Sequence, residues 1–161
     1  MSSGMYFVAL PNDYLDDVIQ DADNLESVES EENVKILGFD SEYGAILYLL
    51  SEDVYDWDDE DNDVYTSSFI EDSESCDAGE YLRPDEVEDV AKEFKRLTIS
   101  HLKRRFDSDL FKSAINEGEI YRGNLFNNDK GFEVIASAFD SLVNFFEQAA
   151  SEKNAVIFYY V

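Results

Sequence analysis

Ala155-Val156-Ile157-Phe158-Tyr159-Tyr160-Val161 closes the chain, and its β-branched and aromatic residues mark a strand. Near the other end, Met5-Tyr6-Phe7-Val8-Ala9-Leu10 is a second apolar run, ended by Pro11. Strand signals at both termini with helical patterns between them predict that the two ends pair in one sheet. The expected class is α+β: a small antiparallel sheet including both terminal strands, packed against several amphipathic helices. No repeat or linker interrupts the 161 residues, which read as one domain, 1–161, large enough to bury a core.

Working outward from the termini, Asn12 or Asp13 is placed to cap a helix whose apolar stripe is Leu15, Val18 and Ile19. The polar stretch Asp21–Asn33 reads as a loop or a poorly ordered turn. Phe39–Leu50 is apolar, with Ser41 as a plausible cap and Ala45, Ile46, Leu49 and Leu50 at helical spacing; a strand is the competing reading. Pro84 suits a first helical turn, and Val87, Val90, Ala91, Phe94 and Leu97 follow it on one face. A shorter helix is predicted over Ser100–Phe106. Glu117-Gly118-Glu119 and Gly123 mark turns around Ile120-Tyr121. The longest helix is predicted from Gly131 to Ala150, with the stripe Ile135, Ala138, Phe139, Leu142, Phe146 and Ala149.

Charge divides the chain unevenly. One base against 24 acids gives −23 for residues 1–82, while 11 bases against 14 acids give −3 for residues 83–161. An acidic, insertion-like segment at about 52–80 contains no base. Such a surface repels phosphates and attracts cationic partners before contact. Self-repulsion at a net charge of −26 should make stability rise with salt. The 12 Phe and 10 Tyr are nonetheless the composition of a folded protein.

The single cysteine, Cys76, rules out an intramolecular disulfide. The first residues lack a basic region followed by an apolar one, and no apolar run reaches the ~20 residues that span a bilayer. A cytoplasmic protein that avoids anionic lipid and free nucleic acid is expected, with no membrane partner.

Tyr81-Leu82-Arg83-Pro84-Asp85-Glu86-Val87 followed by Val90-Ala91 resembles the "Y-L-x-P-E-E-V … V-A" pattern of the YfbM-like family, domain of unknown function 1877. Leu102, Arg104-Arg105 and Phe106-Asp107 look like its "L-R-x-x-F-D" step, and Glu119-Ile120-Tyr121 like its "x-I-Y-P". Leu142, Phe145-Phe146 and Ala149-Ala150 are similar to its closing helix. Phe39-Asp40 to Leu50 resembles its "L-D-x-D-K-x-W-x-x-L-H-x-L-L" segment. The chain departs from that pattern where Tyr43 and Leu47 replace Trp and His, and where Arg122 replaces Pro. The resemblance implies an α+β fold with a small antiparallel sheet, and no reaction. Relatives beside toxin genes would make an immunity role an expectation of the same kind.

The densest carboxylates, Asp56, Asp58, Asp59, Glu60, Asp61 and Asp63, alternate with Tyr55, Trp57 and Tyr65. As a calcium loop starting at Asp56 they fail: the sixth position is Asp61 rather than glycine, and the twelfth is Ser67 rather than glutamate. As a glycosidase pair they lack an evident enclosed pocket. As a phosphate decoy they could fill a basic groove, charge speeding the encounter and the aromatics anchoring it. The bland alternative is an acidic surface that keeps the protein soluble.

His101 is the sole histidine, so a multi-histidine metal site is excluded, and a structural role is expected of it. A Cys76–His101 nucleophilic pair is conceivable, although acids beside Cys76 oppose its thiolate. Lys92, Lys95, Arg96, Lys103, Arg104 and Arg105 are the only basic concentration, read as internal compensation at helix ends. No phosphate loop, nucleophile elbow or zinc-protease motif is present.

The expectation is therefore a non-enzymatic, cofactor-free binding protein for a basic protein partner. Its sharpest form is an immunity protein that occupies the substrate groove of a cognate toxin, such as a nuclease. The residues expected to carry binding are Tyr55, Asp56, Trp57, Asp58, Asp59, Glu60, Asp61, Asp63 and Tyr65. Two alternatives stay open: a DNA-mimic inhibitor of another nucleic-acid-binding protein, and a small-molecule-binding domain or enzyme with its site near Tyr121 and Arg122.

Overall fold

The computed structural model describes residues 4–50 and 73–161. The terminal runs do pair. β1 (Met5–Leu10) lies antiparallel to β5 (Ala155–Tyr160), from Met5 opposite Tyr160 to Leu10 opposite Ala155. β2 (Lys35–Phe39) adds to the outer side of β1. A hairpin of β3 (Glu74–Cys76) and β4 (Gly79–Leu82) adds to β5, completing the antiparallel order β2-β1-β5-β4-β3. The two terminal strands are thus central, which explains why both read as nearly continuous apolar runs: each buries both faces.

Alternation divides their side chains between two cores. Met5, Phe7 and Ala9 with Val156 and Phe158 point into a large core; Val8 and Leu10 with Ala155 and Ile157 point into a smaller one. The large core is roofed by α3 (Tyr43–Leu50), α4 (Pro84–Arg96), α5 (Ile99–Phe106), α6 (Asp109–Asn116) and α7 (Asp129–Ser151). The smaller core is roofed by α1 (Asn12–Gln20) and α2 (Asn24–Glu29).

The large core is built from aromatic rings at contact distance. Phe7 stacks on Phe158 with centroids 5.5 Å apart and meets Phe146 edge-on at 5.9 Å; Phe146 meets Phe94 edge-on at 5.3 Å. These offset and edge arrangements suit ring quadrupoles and add to the area term. Helix starts are set by side chains: Thr98 Oγ1, Ser108 Oγ and Asn128 Oδ1 accept from the N–H of His101, Phe111 and Gly131. The Arg83 N–H donates to Glu86 Oε1 at 2.8 Å, tying down the α4 entry ahead of Pro84.

Several local expectations are corrected. The stretch read as a loop contains α2, because Leu25 and Val28 have an apolar floor to meet. β2 was not foreseen, since Lys35 and Gly38 dilute its strand signal; on an edge, such residues are tolerated. α6 was also missed between two stronger helices. Pro11, not Asn12 or Asp13, precedes α1, and no side chain caps it. Ser41 stands ahead of α3 and instead accepts from Arg122 Nη1 at 3.4 Å. The strand alternative for Phe39–Leu50 is overturned by α3 over Tyr43–Leu50, and holds only at Phe39, the last residue of β2. The predicted helices over 84–97, 100–106 and 131–150 are observed as α4, α5 and α7, shifted by one or two residues at their ends.

In the β3–β4 hairpin a two-residue turn, Asp77-Ala78, ends at Gly79, which has a φ of 151°. A side chain there would stand 2.5 Å from the Phe158 carbonyl oxygen, so glycine permits both the turn and the approach of β5.

Candidate functional site

The anticipated binding residues Tyr55, Asp56, Trp57, Asp58, Asp59, Glu60, Asp61, Asp63 and Tyr65 lie outside the described residues, as do the positions weighed for calcium. Within the described residues the strongest feature is the surface formed by α1, α2 and the turns that follow them. From Asn12 to Glu32 the chain carries Asp13, Asp16, Asp17, Asp21, Asp23, Glu26, Glu29, Glu31 and Glu32, and no lysine or arginine. Leu15, Val18 and Val28 turn inward, which leaves all of these acids except the half-buried Glu29 exposed. Sequence reasoning finds the charge but not this surface, because α2, which carries Glu26 and Glu29, and the turns on either side of it read locally as a loop.

Three hydrogen bonds, two from Arg83 and one from Tyr159, fasten the acidic layer to the sheet. Arg83 donates from Nη1 to Asp16 Oδ1 at 2.7 Å and to Asn12 Oδ1 at 2.9 Å, while its guanidinium sits 5.5 Å from the Tyr81 ring centre. The hydrogen bond to Asp16 raises the Arg83 pKa above its already high value. Tyr159 donates to Glu29 Oε1 at 3.1 Å; burial, then the Glu29 charge and that hydrogen bond, push its phenol up to about 12. Within the β3–β4 hairpin, Tyr81 donates to Glu74 Oε2 at 2.7 Å, and that bond is the main reason its phenol also titrates high. One arginine thus reaches into a face of nine carboxylates, and the remaining charge is turned to solvent.

The basic residues of α4 and α5 belong to the opposite layer. Lys95 pairs with Glu147 at 3.1 Å, and Lys103 with Asp107 at 3.2 Å and Asp129 at 3.4 Å while lying over the Phe106 and Phe132 rings. Arg105 is not a helix-end surface charge as expected. It is buried at 1% exposure and donates from Nη1 to the Leu49 carbonyl at 2.8 Å, bridging α5 to the end of α3.

Tyr121 and Arg122 form a surface cluster with α3 and β5. Tyr43 stacks on Tyr121 at 5.5 Å and leans on Tyr160 at 5.7 Å, and the Arg122 guanidinium lies 5.5 Å from the Tyr121 ring centre. Arg122 holds a left-handed φ of 50°. Burial raises the phenol pKa of Tyr43 and Tyr160, helped at Tyr160 by Glu80. The rings occupy one another's faces, and the grooves of ≈ 480 Å³ at Asn154 and ≈ 370 Å³ between α4 and α7 lie elsewhere.

Cys76 and His101 are not brought together. Cys76 packs with the smaller core, whereas His101 Nδ1 accepts from the Thr98 N–H at 3.2 Å at the start of α5, on the other side of the sheet. His101 thus shares the capping of α5 with Thr98. Among the described residues there is no group of three or more His, Cys, Asp or Glu that could hold a metal ion. Nor is any described helix long and apolar enough to cross a membrane.

The chain matches the family described as "Domain of unknown function (DUF1877)" over residues 1–159, and it belongs to that family. Its fold is similar to the crystal structure of YfbM from Escherichia coli, a protein of unknown function, with 18% identity, all of both chains covered and a TM-score of 0.69. At that identity the likeness is one of fold. None of the curated proteins matches the chain.

Proposed function

We propose that this chain is an acidic binding protein that neutralises a basic protein, and in its sharpest form an immunity protein for a toxin such as a nuclease. One observation carries the reading: the α1–α2 face bears nine carboxylates and no base of its own, while the described ion pairs of the lysines lie in the opposite layer. A generic solubilising surface would mix both signs. Here the field has a direction, so it can orient a cationic partner and accelerate its encounter.

Tyr55, Asp56, Trp57, Asp58, Asp59, Glu60, Asp61, Asp63 and Tyr65 extend this acidity along the chain and supply aromatic anchors. On this reading Trp57→Ala raises the dissociation rate, because an anchor is lost while steering is kept.

The test is capture from a host lysate at low salt, eluted with a salt gradient and identified by mass spectrometry. One basic protein in stoichiometric amount, retained above physiological salt, is the expected result. A series of basic proteins all lost at modest salt would contradict it. Competition between duplex DNA and this chain for the captured protein would place the contact in a nucleic-acid groove. A captured cellular nucleic-acid-binding protein, in place of a toxin, would favour the DNA-mimic form.

A further inference from the structure

Among the described residues no strand lies along the outer edge of β2. Gly4 and Val161 exchange both backbone hydrogen bonds, at 3.2 and 2.9 Å, and the register from there along β1 and β5 is unbroken. In an antiparallel ladder alternate residues turn to alternate neighbours. Tyr6, Val8 and Leu10 therefore bond to β5, and Met5, Phe7 and Ala9 bond to β2. Their β2 partners are Phe39, Leu37 and Lys35. This leaves Ile36 and Gly38 with N–H and C=O directed outward, on an edge with no strand beside it among the described residues.

The surroundings of that edge are shaped for a chain. Ile36 is 47% exposed, although it is β-branched and sits on a strand. Gly38 is exposed and lies under the Tyr6 ring, which a side chain at 38 would strike at 2.7 Å, so the edge is narrow there. On the large-core side, a groove of ≈ 510 Å³ runs between β2 and α7, floored by Leu37, Phe39 and Ala138 with Val134 44% exposed at its rim. Glu42 and Glu133 flank the groove, and among the described residues Lys130 is the one base lining it. Lys35 stands at the far end of the strand from Asp40 and Glu42.

We propose that an extended, basic segment of the partner adds to β2 as a sixth strand, bonding to Ile36 and Gly38. Its apolar residues enter the groove, and its basic ones lie toward Asp40 and Glu42, away from Lys35. Main-chain pairing supplies affinity in such strand addition, and the flanking pockets supply selectivity. A second copy of this chain is the disfavoured occupant, because it would bring another net charge of −26 to the same edge. The proposal rests on the reading of the chain as a binder of basic protein.

The test uses the full chain and a short, end-blocked peptide of alternating lysine and valine, followed by amide NMR shifts and hydrogen exchange. Ile36 and Gly38 amides are expected to shift and gain protection when the peptide is added. Ile36→Pro removes an outward donor at an edge position that tolerates proline, and should weaken binding by about tenfold or more. Ile36→Thr keeps the N–H and should bind as the wild type does. Equal binding by Ile36→Pro, or no change at Ile36 and Gly38, would overturn the proposal. So would protection of both amides that grows with protein concentration without peptide, which would make a second copy the occupant. If the footprint falls on α1 and α2 instead, the edge is lost as a site while the acidic-binder reading stands; only failed capture removes that reading.

Discussion

On one face of the sheet, Phe7 and Phe158 pack beneath Phe94 and Phe146 from two long helices; on the other, Val8, Leu10 and Ile157 meet Leu15, Val18 and Val28 from two short ones. The same two strands serve both, since successive residues point opposite ways. The thick layer carries the large aromatic core and pairs its lysines with nearby acids. The thin layer carries a modest core and a face of carboxylates. Stability and charge are thereby separated in space: substitutions on the acidic face can be extensive without touching the aromatic core.

Core truncations should show this asymmetry most strongly. Phe146→Ala, which removes a ring touching Phe7 and Phe94, should cost about 3–5 kcal/mol in denaturant unfolding. Leu15→Ala, beneath the thin layer, should cost about 2–3 kcal/mol, at the low end for a buried leucine because a short helix can settle into the space. Equal costs would mean that the two layers share one cooperative core. A smaller effect is expected at the fastening between layers. Arg83→Ala should destabilise by about 0.5–1 kcal/mol, less at high salt, because the pair with Asp16 is partly exposed. No salt dependence would show that Arg83 acts by packing on Tyr81 instead.

The smallest effect is one of pH. Tyr159 titrates higher folded, near 12, than its ordinary 10.0, so folding favours its protonated form. Its contribution is full below pH 10 and is lost as pH rises through about 12. Tyr159→Phe should make the alkaline loss of stability shallower. A slope should remain, because Tyr43, Tyr48, Tyr81 and Tyr160 are raised as well. An unchanged slope in Tyr159→Phe would remove the Tyr159–Glu29 contact from the account.

Much of this architecture was legible in the sequence, for reasons that differ between elements. The terminal strands were readable because both their faces are buried, and α4 and α7 because their apolar stripes are long and regular. β2, α2 and α6 were not, because each is short and takes its stability from the neighbours it meets. The hairpin β3–β4 was hidden among acids that face solvent. At the candidate site, the imbalance of charge was plain from composition, whereas its display on α1 and α2 depended on a helix that reads locally as a loop. The outward-facing groups of β2 had no sequence signal, since which residues turn outward is decided by the register of β1 against β5.

The most direct measurement compares the association rate of the captured basic protein with the wild type and with a variant carrying Asp13→Asn, Asp17→Asn, Asp21→Asn and Glu26→Gln. These four acids are exposed and make none of the three hydrogen bonds by which Arg83 and Tyr159 fasten α1 and α2 to the sheet, so the thermal midpoint should not fall. If the acidic face meets the partner, the variant associates about tenfold more slowly at low salt, and its rate falls less steeply as salt is added. Identical rates and identical salt slopes would show that this face is not what the partner encounters.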